Sequence, residues 1–123
     1  MKDVKAYGAR AIDAPLELMT IQRRELRPQD VEFEILYCGI CHSDLHRLKG
    51  EFGGSHYPLV PGHEILGRVT ALGSAVKDFQ LGELVGVGCI VDSCGHCSCC
   101  EEGLEQFCTE GVSFSFNGID RVS

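Results

Sequence analysis

No run of apolar residues in the chain reaches the length needed to span a bilayer, so nothing in the sequence reads as a transmembrane helix. Basic residues are scarce: 11 Lys and Arg stand against 18 Asp and Glu, for a formal net charge of -7. A nucleic-acid binder carries a basic face, so this balance argues against nucleic acid as a partner. The opening Met1-Lys2-Asp3-Val4-Lys5 has no apolar stretch behind a basic region. It therefore lacks the pattern of a secretory signal, and a cytoplasmic location is expected. No G-x-G-x-x-G lies between a strand and a helix, and no β-α-β unit is visible. A dinucleotide-binding domain is therefore not expected within these residues. Internal repeats and linkers are also missing.

What is present fits one folded domain. Hydrophobic residues make up 44% and charged residues 24% of 123 positions, which excludes a disordered class. The first third reads as strand. Val31 to Ile35 alternates apolar and polar, as a half-buried strand does, and Leu16 to Ile21 alternates similarly. Cys41 to Lys49 predicts a short helix with Gly50 as its C-terminal cap. Ser55 to Pro61, with two prolines, predicts an extended run. Ile65 to Leu72 predicts a strand, and Leu84 to Val91 a strand interrupted by Gly86 and Gly88. Asp92 to Cys108 has too few large apolar side chains to pack by itself, and Gly111 to Ser123 shows no period. Many short strands with few helices predict a mainly β fold, a partly open barrel.

Eight cysteines need a chemical reason. Without an export signal, metal ligation or a reactive thiol is a better reading than disulfides. Cys94, Cys97, Cys100 and Cys108 form C-x2-C-x2-C-x7-C. Four thiolates so close can converge on one tetrahedral zinc with no open position. Such a metal would staple a loop that has no core of its own. The competing readings are disulfides, an iron–sulfur cluster and incidental cysteine richness. In bacterial ferredoxins the fourth cysteine of such a run follows after three residues and precedes proline. Here seven residues intervene and Thr109 follows. Cys99 shows that not every thiol in the loop is a ligand.

A second constellation lies upstream, in Cys38-Gly39-Ile40-Cys41-His42-Ser43-Asp44-Leu45-His46 and in Tyr57-Pro58-Leu59-Val60-Pro61-Gly62-His63-Glu64. Cys41 ends a predicted strand and His63 follows the proline-set run, so loops can aim both into a cleft. Catalytic zinc keeps three protein ligands and one open position. Asp44 is the residue type that accepts a hydrogen bond from the far nitrogen of a ligand histidine. Taken singly, Cys41 reads equally as a small buried hydrophobe, His63 as a satisfied core residue and Glu64 as a solvated carboxylate. Leu45, Phe52 and Tyr57 read equally as pocket wall and as core packing.

Together with Gly62-His63-Glu64-x-x-Gly67-x5-Gly73 and Val85-Gly86-Val87-Gly88-Cys89, these segments resemble zinc-dependent medium-chain alcohol dehydrogenases. The resemblance is to the cinnamyl-alcohol-dehydrogenase-like branch with its broad-specificity aldehyde reductases, and it covers roughly residues 1–110. It implies a GroES-like β-barrel with a zinc-stapled loop, residues 1–123 being the N-terminal part of the catalytic domain. It implies Cys41 and His63 as catalytic zinc ligands, Glu64 as an alternate ligand, and Asp44 behind the histidine. Ser43 corresponds to the hydroxyl that exchanges the substrate proton, His46 to the far end of that relay, and His42 to a position near the cofactor pyrophosphate. Cys94, Cys97, Cys100 and Cys108 correspond to structural zinc ligands. Cys38, Cys89 and Cys99 correspond to none, and Cys38 and Cys89 are expected to be buried in strands. Phe52 replaces the tryptophan common in this branch.

The implied activity is interconversion of primary alcohols and aldehydes with NADP or NAD, in a complete enzyme expected to be a homodimer. The third catalytic zinc ligand and the Rossmann domain are expected beyond Ser123, with the stretch 114–123 leading into further strands. A truncated, non-catalytic zinc-binding module is the alternative. A zinc-free quinone reductase of the same fold is disfavoured, because Cys41, His63 and the four-cysteine loop are all present.

Overall fold

A computed structural model describes residues 1–121. Its elements in chain order are β1 (Lys2–Gly8), β2 (Glu17–Arg23), β3 (Val31–Cys38), α1 (His42–Leu48), β4 (Ile65–Leu72), β5 (Leu84–Val87), β6 (Ile90–Asp92), α2 (Ser98–Glu101), a 3-10 turn (Glu105–Phe107) and β7 (Ser113–Phe114). The fold is mainly β and open. Among the described residues, β1 and β2 form a hairpin, β3-β4-β5 a three-stranded antiparallel sheet, and β6-β7 a short ribbon. Among the described residues no sheet closes into a barrel.

The β3–β4 pairing is the frame. Val31 lies opposite Leu72 and Cys38 opposite Ile65, with register shifts after Glu32 and after Ile35. Strand β4 shows the pattern of a two-sided sheet: Gly67 and Val69 are buried while Leu66, Arg68 and Thr70 are exposed. Gly67 is glycine for want of space, since a Cβ there would strike the Phe33 ring and the Glu34 carbonyl. The Ser55–Pro61 run docks on the first hairpin through a reciprocal backbone pair, Ala9 N to Leu59 O at 2.9 Å and Leu59 N to Ala9 O at 2.8 Å. Ala9, Met19 and Leu59 are buried at that junction.

Helix α1 starts where β3 has ended. Cys41 is its N-cap, Asp44 sits in the first turn and accepts from Cys41 N at 3.2 Å, and Gly50 follows the C-cap with φ 68°. The expected helix and the Ile65–Leu72 strand are therefore both found. Three expectations need correction. Leu84 to Val91 is two strands, because β5 pairs with β4 while β6 turns away to pair with β7. The unperiodic stretch after Gly111 contains β7, which at two residues is too short to show a period. Cys38 and Cys89 are exposed rather than buried. Cys38 ends an edge strand, and Cys89 lies in the break between β5 and β6. Val122 and Ser123, the end of the stretch expected to lead into further strands, lie outside the described residues.

Candidate metal centres

The first centre is assembled from two segments that the β3–β4 pairing brings side by side. Gly39 N donates to Glu64 O at 2.8 Å, which ties the end of β3 to the chain entering β4. Gly62, with φ 115°, lets the chain turn so that His63 faces Cys41. A sulfur of Cys41, a ring nitrogen of His63 and a carboxylate oxygen of Glu64 then lie within 4.8 Å of one another. The Glu64 carboxylate occupies the space above Gly39 that a larger residue would fill.

Asp44 organises this group from beneath. It is buried, at 5% exposure, and its Oδ1 accepts from His63 Nδ1 at 2.9 Å and from Gly62 N at 2.9 Å. The bond to Nδ1 leaves Nε2 of His63 facing Cys41 and Ser43, the arrangement a ligand histidine needs. Ser43 Oγ lies 3.2 Å from Cys41 Sγ and 3.4 Å from His63 Nε2. The Ser43 hydroxyl bond holds the Cys41 thiol below its usual range, with His63 adding to the effect. Burial opposes charge on His63, but the Asp44 bond and the Cys41 thiolate outweigh it and raise its pKa. Both shifts run in the direction that favours a thiolate beside a charged imidazole, and a divalent ion in place of the imidazole proton would meet the same attraction. A thiolate, an imidazole and a carboxylate on one side of an open site form a donor set that suits zinc.

The second centre is closed. The sulfurs of Cys94, Cys97, Cys100 and Cys108 also lie within 4.8 Å of one another, and Cys94 and Cys100 are 3.9 Å apart. Tetrahedral zinc with Zn–S bonds of about 2.3 Å sets its sulfurs roughly 3.8 Å apart, so the cage fits that ion. Backbone amides point inward: Cys97 N and His96 N approach Cys94 Sγ at 3.2 and 3.4 Å, and Cys100 N approaches Cys97 Sγ at 3.4 Å. Amide bonds from Thr109 and Cys100 pull Cys97 down to about 6. Amide bonds also favour the Cys94 thiolate, but burial and the neighbouring Cys108 and Cys97 outweigh them and push it up to about 12. Four thiols that cannot all ionise alone can do so around a cation. Cys99 stands outside the cage. His96 and Glu110 approach Cys94 from the exposed side, but that sulfur already belongs to the cage.

With both geometries described, comparison with known proteins decides the family. Residues 27–120 match the family model described as the alcohol dehydrogenase GroES-like domain. The chain belongs to this family. The GroES-like segment is 59% identical over 105 residues to aldehyde reductase YahK of Escherichia coli, covering 85% of this chain and 30% of that protein. It is 50% identical over 121 residues to NADP-dependent alcohol dehydrogenase C of Mycobacterium tuberculosis, covering 98% and 35%. It superposes on a cinnamyl alcohol dehydrogenase of Sorghum bicolor with TM-score 0.93, at 40% identity, covering 98% of this chain and 34% of that one. A cinnamyl alcohol dehydrogenase of Helicobacter pylori complexed with NADP(H) gives TM-score 0.92 at 41% identity, covering 98% and 35%. The chain thus spans about a third of the length of the relatives it matches.

Other residues singled out in the sequence fall into place unevenly. His46 lies one turn beyond Ser43 on α1, but it pairs with Glu51, and its ring stands 4.8 Å from that of His42. Among the described residues no hydrogen bond joins Ser43 to His46. Tyr57 is a packing residue, its hydroxyl donating to Leu48 O at 2.6 Å, while Leu45 and Phe52 are exposed. Sequence reasoning missed Phe116. This buried ring stacks on His63 with centroids 4.5 Å apart and planes 24° apart. Its only sequence signal is an aromatic in the alternation Phe114-Ser115-Phe116.

Proposed function

We propose that residues 1–123 form the zinc-binding N-terminal part of the catalytic domain of an oxidoreductase that interconverts primary alcohols and aldehydes with NADP or NAD. The observation that carries this reading is the open Cys41–His63–Glu64 group, with Asp44 fixing the imidazole and Ser43 beside it. The names of the relatives, aldehyde reductase and NADP-dependent alcohol dehydrogenase, supply the reaction class. The reading carries with it a small alcohol or aldehyde as reactant, a cytoplasmic location and a homodimeric complete enzyme. Among the described residues no helix is long and apolar enough to cross a membrane.

Cys41 and His63 would hold the catalytic zinc and Glu64 would serve as its alternate ligand, while Cys94, Cys97, Cys100 and Cys108 would hold the structural one. When bound, the catalytic ion supplies a Lewis acid that polarises a carbonyl or acidifies an alcohol. Reduction adds a hydride, carried by the nicotinamide cofactor, to the carbonyl carbon and a proton to its oxygen. Ser43 Oγ stands next to both Cys41 and His63, where it would deliver or accept that proton. A hydroxyl is a weak base, so Ser43 would pass the proton on rather than keep it. His46, on the same helix face and paired with Glu51, would take that part. His42, exposed at the helix start, would meet the cofactor phosphates.

Metal analysis of the complete enzyme tests the reading, with about two zinc ions expected per chain. Cys41→Ser is expected to remove one of them and abolish turnover while the fold persists. About one zinc per chain without turnover would instead leave a non-catalytic zinc module, and turnover indifferent to a chelator would overturn the catalytic-zinc assignment.

A further inference from the structure

Arg47 stands one aromatic layer away from the open centre, with its charge uncompensated. It follows Ser43 by one helical turn on α1, so the two share a face. Its guanidinium carbon lies 5.7 Å from the Phe116 ring centroid and 5.1 Å from that of Phe52. Phe116 in turn stacks on His63 at 4.5 Å. One Nη donates to Gly53 O at 3.2 Å, while Nε is buried without a hydrogen-bond partner. Nearby carboxylates are engaged elsewhere: Asp44 with Cys41, Gly62 and His63, and Glu51 with His46. Among the described residues Arg47 forms no ion pair.

A guanidinium is a rigid planar fork that matches a carboxylate, and it is costly to shelter without one. The Phe52 and Phe116 rings lie within cation–π range of the guanidinium and help to hold its position. Phe116 fills the interval between the fork and His63, so a reactant held at the centre would reach Arg47 only by extending past the edge of that ring. We propose that Arg47 is a specificity-determining residue that selects aldehydes and alcohols bearing a carboxylate at the end remote from the reacting carbon. This rests on the oxidoreductase reading above. It adds a substrate class, that of carboxylated aromatic or similarly long aldehydes.

The test compares 4-carboxybenzaldehyde with 4-methylbenzaldehyde, which have similar shape and differ in charge, in the complete zinc-loaded enzyme. The wild type is expected to favour the carboxylate in kcat/KM by at least about tenfold, the size of one charge-assisted hydrogen bond. Arg47→Gln is expected to collapse that ratio, Arg47→Lys to keep part of it, and added salt to narrow it in the wild type. A wild-type ratio at or below one, or a ratio that Arg47→Gln leaves unchanged, overturns the proposal. Calorimetry with the unreactive amides 4-carboxybenzamide and 4-methylbenzamide separates the two readings. If neither aldehyde is reduced, the oxidoreductase reading fails. Tighter binding of the carboxylated amide, lost in Arg47→Gln, would still support the arginine's role, and equal binding of the two amides would refute it.

Discussion

Asp44 carries more than its share of the first centre. One carboxylate holds the helix N-cap amide, the Gly62 amide and the His63 ring, so it fixes both metal-bearing segments at once. Asp44→Ala would leave buried donors unmet, at a cost of about 1–3 kcal/mol for each one stranded. It is also expected to weaken zinc binding at the Cys41–His63 centre about 10–100-fold, as losing the support of a ligand histidine does. Equilibrium denaturation and competition with a zinc chelator measure the two effects. Asp44 was legible in the sequence because it is the residue type that accepts from a ligand histidine and lies within a segment of candidate ligands. Phe116 was not, because its partner His63 is 53 positions away and no local pattern records such a contact.

The cysteine cage makes a pH prediction of the same scale. Cys97 is depressed to about 6, so its thiolate is present at neutral pH and is lost as pH falls through that value. Protons then compete with zinc. Acidification is expected to weaken the hold on the zinc and loosen residues 93–112, and Cys97→Ser should weaken it already at neutral pH. Zinc content and hydrogen exchange across the loop check both. Release unchanged between pH 7 and pH 5 would refute the cage as a site whose affinity depends on that thiolate.

At the scale of elements, the β3–β4 pair decides whether the first centre exists. Gly67→Ala drives a methyl group into the Phe33 ring and the Glu34 carbonyl. The expected cost is about 1–3 kcal/mol of overpacking, seen as a lower melting temperature, together with weaker zinc binding, because the pairing that aligns Gly39 with Glu64 is disturbed. A neutral substitution would show that the sheet yields more readily than its geometry implies. Strand β4 was readable as a run ended by Gly73-Ser74, and α1 from the change of pattern after Cys41. The split between β5 and β6 falls at Gly88 and Cys89, but a glycine inside a strand pattern reads equally as a bulge, so the break in Leu84 to Val91 was not legible. What divides it is pairing with β7, a partner 23 residues downstream that is too short to announce itself. The closed cage was the most legible feature, because metal spacing is written in consecutive residues.

Over the whole molecule the apolar core is thin. Its buried hydrophobic members are Ala9, Met19, Leu59, Val69, Phe116 and two cysteines of the cage, while Ile35 and Tyr37 on β3 are 60% and 71% exposed. Much of the described chain's stability would therefore come from its metals, and chelation is expected to lower the melting temperature sharply. A melt indifferent to chelator would show that hydrogen bonding and this small core suffice.

The ribbon β6–β7 closes the base of the cysteine loop, and the residue two places past its end, Phe116, is the one that lies flat on His63. A short length of chain thus joins the closed cage to the ring that covers His63. Emptying the cage is expected to loosen that length of chain and with it the Phe116 ring, so a defect confined to the staple is expected to be read as an altered titration of His63.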